Sequence, residues 1–158
     1  MSLLRFKPNY ILIPLLVIIT GSAASYFAES GRQWHETINF PSWLIPGSYT
    51  DIAWMIMFIL SSVSVLIIWN KYSWQKNFKL IMGLFILNAI INVGWNILFF
   101  SNQQPGLAVF QALLMVSAVA TLVTLIWKCC PLAATCLLPY SVWVLFITIL
   151  TINVWLIN

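Results

Sequence analysis

Residues 29–51 read ESGRQWHETINFPSWLIPGSYTD, a stretch that contains every acidic residue of the chain, Glu29, Glu36 and Asp51, and its only histidine, His35. Trp34, Trp43, Pro41 and Pro46 mark it further. On either side lie predominantly apolar runs, 10–28 and 52–69. Each is close to the ~20 residues that carry a helix across a ~30 Å hydrocarbon core. Helix-to-helix connections usually take about 2–8 residues. A polar, aromatic, proline-marked insert of this length therefore has a task beyond joining two spans, and it is the first place to look for function.

Three further apolar runs, 80–100, 107–127 and 132–157, bring the spans to five. The 158 residues are 62% hydrophobic and 6% charged, against roughly 25% charged in soluble domains. Period-2 alternation is absent and the runs are rich in Leu, Ile and Val, which argues for helices over a closed barrel. The expected fold is an all-α five-transmembrane-helix bundle, a single integral membrane domain over 1–158 with a lid loop at 29–51. Arg5, Lys7, Lys71, Lys76, Lys79 and Lys128 fall on the side of the N-terminus and of the second-to-third and fourth-to-fifth links, and only Arg32 falls on the other. That bias predicts a cytoplasmic N-terminus, with the 29–51 loop and the C-terminus outside. The net charge of +4 thus reports topology. No basic patch interleaves with aromatics, so the partner is the lipid bilayer and not nucleic acid.

Arg5 and Lys7, an apolar 11–19 and small residues from Gly21 to Ser25 also resemble a secretory signal. The apolar run continues through Tyr26-Phe27-Ala28, however, and Gly21 and Ser25 form a small-xxx-small face suited to close helix packing. Cys129, Cys130 and Cys136 match no zinc, haem or redox spacing and read as small apolar residues, with palmitoylation beside Lys128 as the alternative. Pro14 and Pro139 fall inside spans, where kinks are expected.

Nine tryptophans in a membrane protein are ordinarily an interfacial belt. That explains Trp69, Trp74, Trp127 and Trp155, at span ends. It does not explain Trp143, near the middle of the fifth span, or Trp95, well inside the third. With Trp34, Trp43 and Trp54, these two can converge on the loop side of the bundle and line a pocket for a flat apolar ligand. Asn88, Asn92 and Asn96 form a stripe at i, i+4, i+8 of the third span. Asn88 and Asn96 are expected to hydrogen-bond between helices, Asn92 to edge the cavity beside Trp95 and Phe99, and Gln111 to serve as a partner. No catalytic triad, phosphate loop or metal-ligand cluster is present, and no charged residue lies mid-membrane. Conventional catalysis and ion-coupled transport have no apparatus, and no metal or required cofactor is expected.

Arg32-x-Trp34, then Pro41-Ser42-Trp43-x-x-Pro46 leading to Trp54, then Asn92-x-x-Trp95 with Phe99-Phe100, then Pro139-Tyr140-x-x-Trp143-x-x-Phe146 resemble the translocator protein family, also called tryptophan-rich sensory proteins or peripheral-type benzodiazepine receptors. The resemblance covers nearly the whole chain. It implies a five-helix bundle, often a homodimer, whose first loop covers a cavity. It implies binding of tetrapyrroles such as protoporphyrin IX, and of synthetic isoquinoline carboxamide and benzodiazepine ligands. It also implies a role in tetrapyrrole regulation or transport and stress response, in a bacterial cytoplasmic membrane.

Position by position, Trp54 and Trp143 match the family's pocket tryptophans, Trp34, Pro41, Trp43 and Pro46 its lid, and Asn92, Trp95 and Phe146 further cavity positions. His35 replaces a tyrosine implicated in porphyrin breakdown. Leu145 replaces a small residue, which implies a narrower cavity on the fifth helix. The proposed cholesterol motif is absent. Two alternatives to a receptor or carrier follow: a light-dependent porphyrin-degrading enzyme, with Trp54, Trp143 and His35 as candidate catalytic residues, and a structural membrane assembly protein whose tryptophans only pack.

Overall fold

The computed structural model describes residues 7–158; Arg5, counted above toward the basic side, lies outside them. The chain forms α1 (Asn9–Ser30), a short α2 (Arg32–His35), α3 (Gly47–Tyr72), α4 (Phe78–Asn96) continued by a π turn (Ile97–Ser101), α5 (Pro105–Trp127) and α6 (Pro131–Ile157). Five of the helical segments are long and apolar enough to cross a membrane. Pro105 and Pro131 stand in the first turn of α5 and α6, where a missing N–H costs nothing and the fixed φ favours the helix. Both α1 and α6 continue through their internal Pro14 and Pro139. Serine and threonine hydroxyls inside spans donate to carbonyls of their own helix, as Thr148 does to Val144 and Thr151 to Ile147, both at 2.7 Å. That arrangement satisfies most of the hydroxyls inside the spans; the buried Ser64 hydroxyl of α3 has no partner among the described residues.

The long helices close into a ring in the spatial order α1, α3, α6, α5, α4. The end away from the 29–51 loop is filled by Ile68, Ile81, Leu122, Ile126 and Leu137 around Ala133 and Ala134, whose small side chains let α5 and α6 approach closely. Ile91, Met115, Val119, Tyr140 and Val144 fill the middle. Gly21 lies beside the Phe58 ring of α3, but a Cβ there would meet the ring at an ordinary 3.5 Å and Ser25 is exposed, so the expected small-residue face is not used for a close helix approach. Large apolar side chains such as Ile18, Phe110 and Val142 point outward, 63–66% exposed. Such a surface is matched to lipid tails and costly in water. The protein is an all-α, five-span membrane protein.

Two boundaries differ from the sequence expectation. The second span starts as a helix at Gly47, not 52, and α1 runs to Ser30, so the connection is 31–46 with a helical turn inside it. Hydropathy marks where a chain enters lipid, whereas the helix starts where Pro46, at ψ 141°, sets the turn. The third span does not stay α-helical to residue 100. Its last turn widens, with Asn102 N–H donating to Ile97 C=O at 2.8 Å and Gln104 N–H to Leu98 C=O at 2.9 Å.

Candidate functional site

The loop end of the ring is packed with aromatic rings supplied by α2, α3, α4 with its π turn, α6 and the loop. Trp95 stacks on Phe99 at 4.9 Å and 10°, and Trp34 of α2 meets Phe99 edge-on at 5.6 Å. Trp143 stacks on Phe146 at 5.1 Å, Trp54 meets Trp143 edge-on at 6.1 Å, and Trp43 of the loop meets Phe146 at 5.8 Å. These are favourable offset and edge-to-face geometries, each worth about 0.5–1.5 kcal/mol beyond burial. Two of the indole N–H groups, Trp95 Nε1 and Trp143 Nε1, are buried without a hydrogen-bond partner among the described residues.

The connection lies over this cluster and is fastened at both sides. At its start, a Cβ on Gly31 would stand 2.5 Å from the Phe100 carbonyl carbon and 2.7 Å from Phe100 Cα, so only glycine lets the loop leave α1 across the π turn. Further along, Asn39 N–H donates to Asn158 Oδ1 at 2.8 Å and Asn158 Nδ2 donates back to Asn39 C=O at 2.9 Å. A side-chain amide at the end of α6 thus pairs with the loop backbone as a neighbouring strand would. Between them, Trp34, Ile38, Gln103, Pro105, Gly106, Trp155 and Asn158 line a pocket of about 540 Å³.

His35 is half-buried, its ring 4.6 Å from Phe40 and 5.5 Å from Phe100. Burial holds its pKa below the usual 6.5, with the negative charge of Glu36 partly opposing, so the imidazole stays neutral near pH 7. Arg32 is held by Glu29 at 2.9 Å and Glu36 at 3.5 Å. These ion pairs are well exposed and contribute little to stability. The acids of the loop are spent on this surface and do not enter the bundle.

A second cavity of about 590 Å³ lies inside the ring, walled chiefly by α1, α3 and α4, with Leu122 of α5 and Leu137 and Tyr140 of α6. Phe58, Ser61, Asn88 and Asn92 line it, and no charged residue does.

The sequence profile of the TspO/MBR family matches residues 10–156. The chain belongs to the TspO/MBR family. It is 32% identical to the tryptophan-rich protein TspO of Bacillus cereus over 127 residues, covering 80% of this chain and 82% of that one. It is 28% identical to the translocator protein of Homo sapiens over 149 residues, covering 93% and 86%. It is also 28% identical to the tryptophan-rich protein TspO of Archaeoglobus fulgidus over 145 residues, covering 91% and 93%.

In this TspO/MBR chain the residues expected to line one cavity are dispersed, His35 lying beside Phe40 and Phe100. Trp34, Trp54, Trp95, Phe99, Trp143 and Phe146 do converge, but as a packed plug whose rings fill one another's space. Trp43 and Pro46 sit on top of it, exposed. Asn92 lines the larger cavity beyond the plug. Leu145 does not narrow the site. It is 47% exposed, because two residues beyond Trp143 the helix has turned by about 200°.

Asn88 makes the expected bond between helices, accepting from the Tyr140 hydroxyl. Asn96 does not, since its amide donates to Asn92 C=O of its own helix at 2.9 Å. Gln111 donates to Ile91 C=O of α4 at 3.0 Å, and it does so across Gly94, where a Cβ would collide with its amide. Phe40, Phe58 and the Asn158 clasp escaped the sequence reading. Only the Asn stripe, with its first member one turn before Asn92, signalled the Asn88 and Tyr140 pair.

Proposed function

We propose that this family member is a membrane receptor or carrier for flat apolar ligands of the tetrapyrrole class, such as protoporphyrin IX, which enter beneath the 31–46 loop by parting the aromatic plug. The observation that carries this reading is the pair of unpartnered indole donors, Trp95 Nε1 and Trp143 Nε1, among ring faces. A buried donor without an acceptor costs about 1–3 kcal/mol. A planar ligand with nitrogen or oxygen acceptors relieves that cost while stacking on Trp54, Trp143 and Phe146. Isoquinoline carboxamides and benzodiazepines have the same two features, flat rings and an acceptor. The names of relatives, translocator protein and tryptophan-rich protein TspO, accord with this reading. The basic-residue bias supports an N-terminus on the cytoplasmic side, similarity to the Bacillus cereus protein accords with a bacterial cytoplasmic membrane, and the family resemblance supports a homodimer.

The test is tryptophan fluorescence titrated with protoporphyrin IX. Saturable quenching, weakened by Trp54→Phe and by Trp143→Phe, is expected. Quenching that does not saturate, or that ignores both substitutions, would favour a structural assembly protein.

A second reading, light-dependent porphyrin degradation, is favoured by the ring-to-ring contact of Trp54 with Trp143 and of Trp143 with Phe146, which gives an oxidised indole neighbours to share its charge. Light- and oxygen-dependent loss of porphyrin absorbance should then vanish in the same two variants. Loss at an unchanged rate in both would end that reading.

A further inference from the structure

The cavity inside the ring holds one buried donor that nothing in the fold uses. Asn88 is 5% exposed and lines the cavity. Its Oδ1 accepts the Tyr140 hydroxyl, which fixes the plane of the amide, yet its Nδ2 has no partner among the described residues. Of the other polar groups along the wall, Thr20 donates to Leu16 C=O and Ser62 to Phe58 C=O, each at 2.8 Å; Ser61 and Asn92 also line it, but no side-chain hydrogen bond among the described residues orients either of them. The fold therefore keeps an oriented, unpartnered N–H group buried in the wall of a 590 Å³ space, where an unmade hydrogen bond is costly.

We propose that Asn88, oriented by Tyr140, is a specificity-determining residue that selects ligands whose buried end has a neutral hydrogen-bond acceptor, such as a ketone, amide or ester carbonyl. The acceptor is expected to be neutral because, among the described residues, no lysine, arginine or histidine lines the cavity. A carboxylate driven to this depth would be an unpaired buried charge, which the site has no means to stabilise. Amphiphilic ligands are accordingly oriented, with any carboxylate left toward the loop and the uncharged edge toward Asn88. A purely structural asparagine would spend both ends of its amide, as Asn158 does on Asn39; Asn88 spends one. The inference rests on the ligand-binding reading above and specifies what that site prefers.

The test compares fluorenone with fluorene, flat tricycles of nearly the same shape in which only fluorenone has a carbonyl. Equilibrium dialysis of the full-length protein in micelles against protein-free micelles gives both affinities, corrected for partition. Fluorenone is expected to bind about three- to ten-fold more tightly, the range of one net hydrogen bond. In Asn88→Leu the preference should disappear while fluorene binding remains. Tyr140→Phe, which removes the hydroxyl but keeps the Nδ2 donor, should retain a preference. On the unaltered protein, the infrared carbonyl stretch of bound fluorenone should fall below its frequency in hydrocarbon, so the proposal stays testable if Asn88→Leu does not fold. Equal affinities, a preference that survives Asn88→Leu, or a carbonyl band at its hydrocarbon frequency would overturn it. Saturable fluorene binding without preference overturns this inference alone. Failure of both probes and of protoporphyrin IX to bind overturns the receptor reading with it.

Discussion

Gly31→Ala should loosen the lid at its origin, and the size of the effect can be worked from the backbone. The added Cβ would lie 2.5 Å from the Phe100 carbonyl carbon and 2.7 Å from Phe100 Cα, where non-bonded carbons normally keep about 3.5 Å or more. The obstruction is main chain, so no side-chain rotation relieves it. Either the loop or the π turn must move by the better part of 1 Å, and the turn is tied by the Asn102 to Ile97 hydrogen bond and by the Ser30 and Ser101 hydroxyls. Overpacking of this kind costs about 1–3 kcal/mol. For a chain of this size each kcal/mol moves the thermal midpoint by about 2–4 °C.

The internal control is Gly83→Ala. Gly83 is exposed in the middle of α4, with nothing within 4 Å of the position of a Cβ, so alanine should gain about 0.5–1 kcal/mol from helix propensity. The assay is thermal unfolding in detergent, followed by far-UV circular dichroism for the helices and near-UV circular dichroism for the Trp34 to Phe99 contact. A lowered midpoint with a weakened near-UV signal is expected for Gly31→Ala alone. If Gly31→Ala melts with the parent, or if Gly83→Ala falls as far, the close-approach argument is refuted.

Three further outcomes follow from the site. Trp143→Phe removes a buried orphan donor while keeping an aromatic face, so it should leave the midpoint of the ligand-free protein unchanged or raise it, yet weaken protoporphyrin affinity several-fold; parallel loss of both would make Trp143 a packing residue only. Because burial lowers the His35 pKa, the unfolded chain binds its proton first as pH falls below about 6.5, so the stabilisation present above that pH is lost below it. Trypsin cleavage at Arg32, taken relative to cleavage of an unstructured arginine peptide at the same pH so that the protease's own loss of activity in acid cancels, should accordingly rise below about pH 6, and His35→Phe should remove that dependence; a pH-independent ratio in the parent would contradict it. Asn158→Ala deletes the two hydrogen bonds to the Asn39 backbone, together worth about 1–3 kcal/mol, and should speed hydrogen exchange at the Asn39 amide without altering exchange in α5; unchanged exchange at Asn39 would show that the clasp does not hold the loop.

The bundle was legible because lipid imposes one simple demand, ~20 apolar residues per crossing, and all five runs meet it. Where the demand is on hydrogen-bond geometry the sequence was silent. Nothing in Ile97-Leu98-Phe99-Phe100 announces that the turn there widens, and the polar residues from Gly47 to Asp51 look like loop although they start α3. The aromatic residues were found because a tryptophan at the middle of a span cannot be an interfacial anchor. That their rings would fill one another's space depends on rotamers and on how closely the loop settles, neither of which spacing encodes. Leu145 was misplaced for a simpler reason: proximity to Trp143 in sequence was taken as proximity in space, and the helical period places the two on opposite faces. Asn96 likewise found an acceptor on its own helix before any neighbour could supply one.

The Asn39 to Asn158 clasp joins positions 119 residues apart in the chain. A chain inserted into the membrane from its N-terminal end presents the loop early, but the amide that holds it is made only after four more helical crossings. Until α6 is seated, the site lacks both the clasp on its roof and the wall that Trp143 and Phe146 supply. Assembly therefore passes through a stage in which the interior is open to the loop side, when a flat hydrophobic compound needs to displace no lid to enter. A ligand present during synthesis would then be enclosed as the roof closes, and would act as a template for the final folding step.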